Sequence, residues 1–350
     1  MAFIQVASRP ILRPKYAGGG GALVDGGTYV ANSSGLGTTV SSSNVEWIGG
    51  VNGYVETLGN GANFSSNLPS ASWSQVGATS TVVSNGDTLS GTVSLYNNFN
   101  SINNWQFGST FDSGAGQKAL YIRAAYKFLN PDSQPMGQVK LFRFNGSNAI
   151  EDLNSFLYFT RYYNGAGSYI SYISSGLISP SEGGGTTGNF VEKDLWVVAE
   201  MLLKPDSTAG AGDGSIQWRH YRADTGALLT DGTVSGRTFW SSGNSANPFR
   251  YFVFQCGFYN EWNNPLSIYI DRDLYFAWNT SSSACPKYVL LGNASTFGSC
   301  TIFSICKWSS WADTQVTFTI NKGQHSSLSG LYIYFMQGPG SPINSSGVAL

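Results

Sequence analysis

The stretch DLWVVAEMLLK (194–204) decides the fold, because reading it as helix or strand sets the class of everything around it. Leu, Ala, Glu, Met and Lys are good helix formers, so propensity alone favours a helix. The spacing argues otherwise. Trp196, Val198 and Glu200 alternate with Val197, Ala199 and Met201, and the flanks are rich in glycine. Period two over that length is the signature of a strand, here buried on at least one face. Immediately downstream, GDGSIQWRHYRADTGALL (212–229) reads as a β-hairpin with Asp224-Thr225-Gly226 at its turn.

Working outward, LYIRAAYKF (120–128) and QVKLFRF (138–144) alternate apolar and polar residues, joined by the turn-rich NPDSQPMG. SFLYFTRYY (155–163), YISYISSG (169–176), RYFVFQCGF (250–258) and LSIYIDRDLYFAW (266–278) are further strands. Between 46 and 110 the chain reads as short strands cut by Gly, Asn and Ser, and no segment reads as a helix. The expected fold is therefore all-β. A large jelly-roll antiparallel sandwich over 46–280 is followed, beyond the linker SSSACP (281–286), by a small immunoglobulin-like sandwich over 285–350. Residues 1–45, with GGGG at 18–21, read as an extended Gly/Ser-rich arm that orders itself on a neighbouring subunit.

Composition narrows the function. Charged residues make up 11% of the chain, against about 25% in ordinary soluble domains. Glycine contributes 43 residues and Phe, Tyr and Trp together 14%. The polar surface is thus expected to be made of hydroxyls and amides. The formal net charge is −1 with no Lys/Arg run, so the basic face that a nucleic-acid binder needs is missing from the sequence. No segment reaches the ~20 apolar residues of a membrane span, and the first residues do not read as a secretion signal. Four cysteines, Cys256, Cys285, Cys300 and Cys306, lack metal-ligand spacing. They are read either as buried thiols or as carrying one disulfide, Cys300 with Cys306.

With the strands in place, the order LYIRAAYKF, KLFRF, LWVVAEMLLKPDS, GDGSIQWRHY and LSIYIDRDLYF resembles the concanavalin A-like lectin/glucanase superfamily. The nearest likeness is to the polysaccharide-lyase-like jelly rolls of phage and other viral structural proteins. Trp196 and Glu200 match one strand of that pattern, Asp213, Gly214 and Trp218 a following hairpin, and Asp271 and Asp273 a late strand. LLGN, KWSSWADTQVTFTINKG and LYIYFMQGPGSPINSSG resemble the small β unit that follows such jelly rolls. The resemblance spans roughly 115–350 and speaks more to fold than to activity.

That resemblance implies three chemistries to look for. A glucanase needs paired carboxylates on one strand, and Glu200 has none beside it. A lyase needs a Tyr or His base beside Arg or Lys, for which Lys140, Arg161, His220 and Tyr221 are candidates; the alternative is that they are cross-strand partners. A lectin needs aromatic faces beside amides. Trp262, Tyr259, Trp240 and Trp105, with their Asn-rich neighbours, supply both. Asp271 and Asp273 are weak candidates for Ca²⁺, or else partners of a nearby Arg. The expectation is a non-enzymatic virion protein located on the particle or outside the cell. It self-associates or binds other virion proteins and contacts a cell-surface glycan, with a polysaccharide lyase as the alternative.

Overall fold

The computed structural model describes residues 23–37, 44–49, 54–64, 67, 73–76, 81–99, 105–110, 118–129, 138–145, 157–163, 169–175, 194–238, 251–259 and 266–350. The strands at 73–76, 105–110, 138–145, 157–163, 169–175 and 251–259 are described by their backbone. The molecule is nearly all β, and every strand pairing is antiparallel. A nine-stranded sheet runs Leu228–Arg237, Gly214–Arg222, Val197–Lys204, Ala119–Leu129, Leu266–Asp271, Ser94–Phe99 and Val82–Ser84. Tyr275–Asn279 pairs with the first half of Ala119–Leu129 and with Val45–Trp47. A six-stranded sheet runs Tyr169–Ser175, Leu157–Tyr163, Gln138–Asn145, Tyr251–Tyr259, Trp105–Thr110 and Trp73–Val76.

Within 194–204, Val197–Lys204 is a strand buried on both faces. Val197, Ala199, Met201 and Leu203 join Leu120, Ile122, Ala124, Tyr126 and Phe128 in one core. Val198 and Leu202 join Tyr121, Ala125, Tyr221, Tyr275 and the C-terminal residues in another. Each full side-chain burial removes apolar area worth about 1.5–3 kcal/mol, so alternation here sorts residues between two cores rather than between core and water. The hairpin forms as read. Gly226, at φ +67°, donates its N–H to the Arg222 carbonyl (2.9 Å) and closes the turn.

The sequence reading needs one correction here. Tyr54–Leu58 is a short α-helix, where only strands were expected.

The N-terminal segment adds a strand to the far end of its own chain. Thr28–Asn32 pairs with Gln315–Thr319, which in turn pairs with Trp308–Ala312. A four-stranded sheet of Phe303–Cys306, Tyr288–Gly292, Tyr332–Met336 and Val348–Ala349 lies in the same core. Among the described residues, 288–349 supply six strands in two sheets, and Thr28–Asn32 adds a seventh. Cys285, Cys300 and Cys306 are free buried thiols, so Cys300 and Cys306 are not bridged.

Candidate functional site

Polar side chains gather where the nine-stranded sheet meets the C-terminal strands. Glu200 stands directly opposite Arg123 on one neighbouring strand and Arg219 on the other. The Tyr121 hydroxyl donates to Glu200 Oε1 at 2.7 Å. The Tyr288 hydroxyl lies 3.4 Å from that oxygen and donates to the Gly338 carbonyl at 2.8 Å. The two tyrosine rings stack with centroids 3.9 Å apart. Arg123 Nη2 donates to the Phe303 carbonyl at 3.2 Å and the Tyr221 hydroxyl at 3.3 Å. Burial holds the Tyr121 and Tyr288 hydroxyls well above their ordinary range, with the Glu200 charge adding to it. For Arg123 burial pulls downward, but Tyr221 and Glu200 outweigh it and the guanidinium is firmly charged. These groups bind one another, and they tie the large sheet to the C-terminal strands through charge-assisted hydrogen bonds.

A second polar cluster sits at a break in the large sheet. Leu266–Asp271 and Tyr275–Asn279 pair with successive halves of the same long strand, and the chain steps between them through Arg272, Asp273 and Leu274. Asp271 accepts from the Ser90 N–H (3.0 Å) and the Asp273 N–H (3.3 Å). Asp273 accepts from Asn321 Nδ2 at 2.5 Å, and that same nitrogen donates to the Ile305 carbonyl. Arg272 pairs with Glu56 at 2.7 Å, and its Nε stands 3.7 Å from Asp273 Oδ1. Glu56 in turn accepts from the N–H and hydroxyl of Thr92. Burial and the neighbouring Asp273 push the Asp271 carboxyl up to about 7.

Above this corner opens a cleft of about 630 Å³, lined among others by Glu56, Thr92, Arg272, Lys322, Gln324 and His325.

The sequence reading puts Asp271 and Asp273 on one late strand, as weak candidates for Ca²⁺ or else as partners of a nearby Arg. Instead the strand ends at Asp271, and both carboxylates are occupied by protein donors with a guanidinium between them. That arrangement does not fit Ca²⁺, which needs six to eight oxygen ligands. Among the described residues no three His, Cys, Asp or Glu side chains gather for a metal.

The lyase candidates divide between sheets. Lys140 pairs with Thr160 and Arg161 with Val139, so both lie on neighbouring strands of the six-stranded sheet. His220 and Tyr221 lie in the nine-stranded sheet and point to opposite faces of it. His220 is 0% exposed, with Nδ1 3.3 Å from the Tyr126 hydroxyl, and Tyr221 is 4% exposed. Burial pushes the Tyr221 hydroxyl up to about 12. Of the glycan candidates, Trp105 opens the strand Trp105–Thr110 and Tyr259 closes Tyr251–Tyr259; Trp240 and Trp262 lie outside the described residues. Arg123, Tyr121, Tyr288, Glu56 and Asn321 were not anticipated. The available signal was that Arg123 and Glu200 each stand between apolar neighbours, Ile122 and Ala124 in one strand and Ala199 and Met201 in the other.

No protein-family model matches the chain, and no curated protein matches its sequence. Among solved structures it is similar to an alginate lyase mutant in complex with an alginate trisaccharide: 12% identity, TM-score 0.44, covering 59% of this chain and 88% of that one. It is likewise similar to an alginate lyase from a Chlorella virus (14%, TM-score 0.41, 59% and 93%). A third similar structure is lectin II from Ulex europaeus (10%, TM-score 0.37, 60% and 94%). Among the described residues no helix is long and apolar enough to cross a membrane.

Proposed function

We propose that this chain is a structural component of a virus particle whose β-sandwich contacts glycans without cleaving them. The observation that carries the non-catalytic reading is the inward placement of His220 and Tyr221. A general base must reach the proton it abstracts and hold a pKa near the working pH. His220 is sealed in one core and Tyr221 in the other, with its hydroxyl proton held to about pH 12. The surface chemistry supports contact. It is expected to be rich in hydroxyls and amides and poor in charge, which suits hydrogen bonding to sugars and close packing between subunits. Self-association or binding to other virion proteins belongs to the same reading.

The test pairs three measurements on the full chain. Glycan-array binding should register a ligand. Incubation with alginate and other uronate polymers should release no unsaturated product by ultraviolet absorbance. Light scattering and electron microscopy should show assembly that is lost on deleting residues 1–22, which leaves Thr28–Asn32 in its sheet. Turnover of any polymer would replace this reading with the lyase one. Monomers that bind no glycan would end it altogether.

A further inference from the structure

We propose that the cleft between the Tyr54–Leu58 helix and the Lys322–His325 turn is a binding site for an uncharged, polyhydroxylated ligand, a short neutral saccharide. It rests on the glycan-contact reading above and gives that contact a place away from the loop tryptophans.

The cleft is of ligand size, since pockets for small molecules run from about 300 to 1,000 Å³. Its wall is drawn from five separate parts of the chain: Asp25, the helix residues Glu56 and Thr57, the loop Leu89–Thr92, Arg272 and the turn Lys322–His325. The wall is also held in one shape. Glu56 is fixed by Arg272 and by both donors of Thr92. Asp25 accepts the Lys322 N–H at 2.7 Å, the turn closes through His325 N–H to Lys322 O at 3.0 Å, and Gln324 Nε2 is anchored on the Ala223 carbonyl at 2.8 Å. Gly91 sits at φ +68°, where a Cβ would overlap Glu56 Oε1 and Arg272 Cζ, so a glycine is what lets the loop close over the ion pair. A preformed site spends little binding energy on ordering itself.

The ligand class follows from charge and donor balance. Arg272 and Lys322 carry two positive charges, and Glu56 and Asp25 two negative ones. A uronate would set its carboxylate against Glu56 and Asp25, and an amino sugar would meet Arg272 and Lys322. A hydroxyl both gives and accepts, so vicinal hydroxyls can use acidic and basic neighbours alike. Arg272 is 2% exposed, with its guanidinium held between Glu56 and Asp273, so the charge behind the wall is already balanced. Leu89 offers the one large apolar surface for a ring face.

The experiment is titration calorimetry of the full chain with maltotriose, cellotriose and lactose, and with trimannuronate and triglucosamine as charged controls. One or more neutral sugars should bind, and the charged trimers should bind more weakly. Lys322→Ala and Gln324→Ala should each weaken the neutral sugar by about tenfold, the loss expected for one or two hydrogen bonds. Leu89→Trp, which intrudes into the cleft where the ring face would lie, should weaken binding about tenfold or more with the fold retained by circular dichroism, and Trp262→Ala should leave it intact. If sugars bind but respond to Trp262→Ala and not to the cleft variants, the site is overturned while the glycan-contact reading survives. If the charged trimers are preferred at the cleft, the ligand class is wrong. If no sugar binds the intact chain, both readings fall together.

Discussion

Replacing Glu200 by leucine tests whether the interior network holds the large sheet to the C-terminal strands. Glu200 is buried opposite Arg123, accepts the Tyr121 hydroxyl and lies within reach of Tyr288. Its removal leaves the Arg123 guanidinium, 3% exposed, without its facing carboxylate and Tyr121 without an acceptor. Taking the balancing carboxylate from a buried charge costs about 3–5 kcal/mol, because the remaining charge stays buried. At roughly 2 °C per kcal/mol for a long chain, the midpoint of thermal unfolding should fall by roughly 6–10 °C. Differential scanning calorimetry reads this, and Glu200→Gln, which keeps an acceptor, should fall in between. The decisive sample is the double variant Glu200→Leu/Arg123→Met, which should be more stable than Glu200→Leu alone because no stranded charge remains. A Glu200→Leu midpoint within about 1 °C of the parent, or a double variant that simply sums the two losses, would refute the argument.

Three further outcomes are expected. Asp271 is held up to about 7, so the folded state binds its proton more tightly than the unfolded chain; stability from this group is lost as pH rises from about 4 through 7. His325 runs oppositely, since burial lowers it to about 4 and stability is lost as pH falls below its unfolded value near 6.5. Melting curves should therefore show Asp271→Asn gaining relative to the parent more at pH 8 than at pH 5, and His325→Gln gaining more at pH 4.5 than at pH 8; the reverse order would contradict both assignments. Gly91→Ala, at positive φ and against the Glu56–Arg272 pair, should cost about 2 kcal/mol in urea unfolding, the left-handed penalty plus displacement of the pair. Cys285, Cys300 and Cys306 should react with a thiol reagent far more slowly in the native protein than in denaturant, and in the native protein Cys285 and Cys306 most slowly, because burial pushes both thiols well above their ordinary range.

The large sheet was legible because its signal is local. Alternation in 120–128 and 194–204 marks strands whatever they pack against, and Gly226 marks a turn by its backbone alone. What escaped reading depended on partners distant in sequence. Thr28–Asn32 is five residues in a glycine-rich stretch, and its pairing partner Gln315–Thr319 lies near the other end. The helix Tyr54–Leu58 is too short for a 3.6-residue period to show. Asp271, Arg272 and Asp273 read as strand positions because nothing local announces that Ala119–Leu129 changes partner beside them. Glu200 looked solitary along the chain, yet it is flanked by two arginines across the sheet.

The strand Thr28–Asn32 also sets a clock. It cannot pair until Gln315–Thr319 has been made, about 290 residues later. At about 5–20 residues per second that is roughly 15–60 s of translation. Throughout that interval the ribosome carries an apolar-faced segment, with Tyr29 and Ala31 destined for the core, whose proper edge does not yet exist. Neighbouring nascent chains on one message could offer theirs first. Expression rate and temperature should thus govern how much of the product is intertwined, independently of how stable the finished fold is.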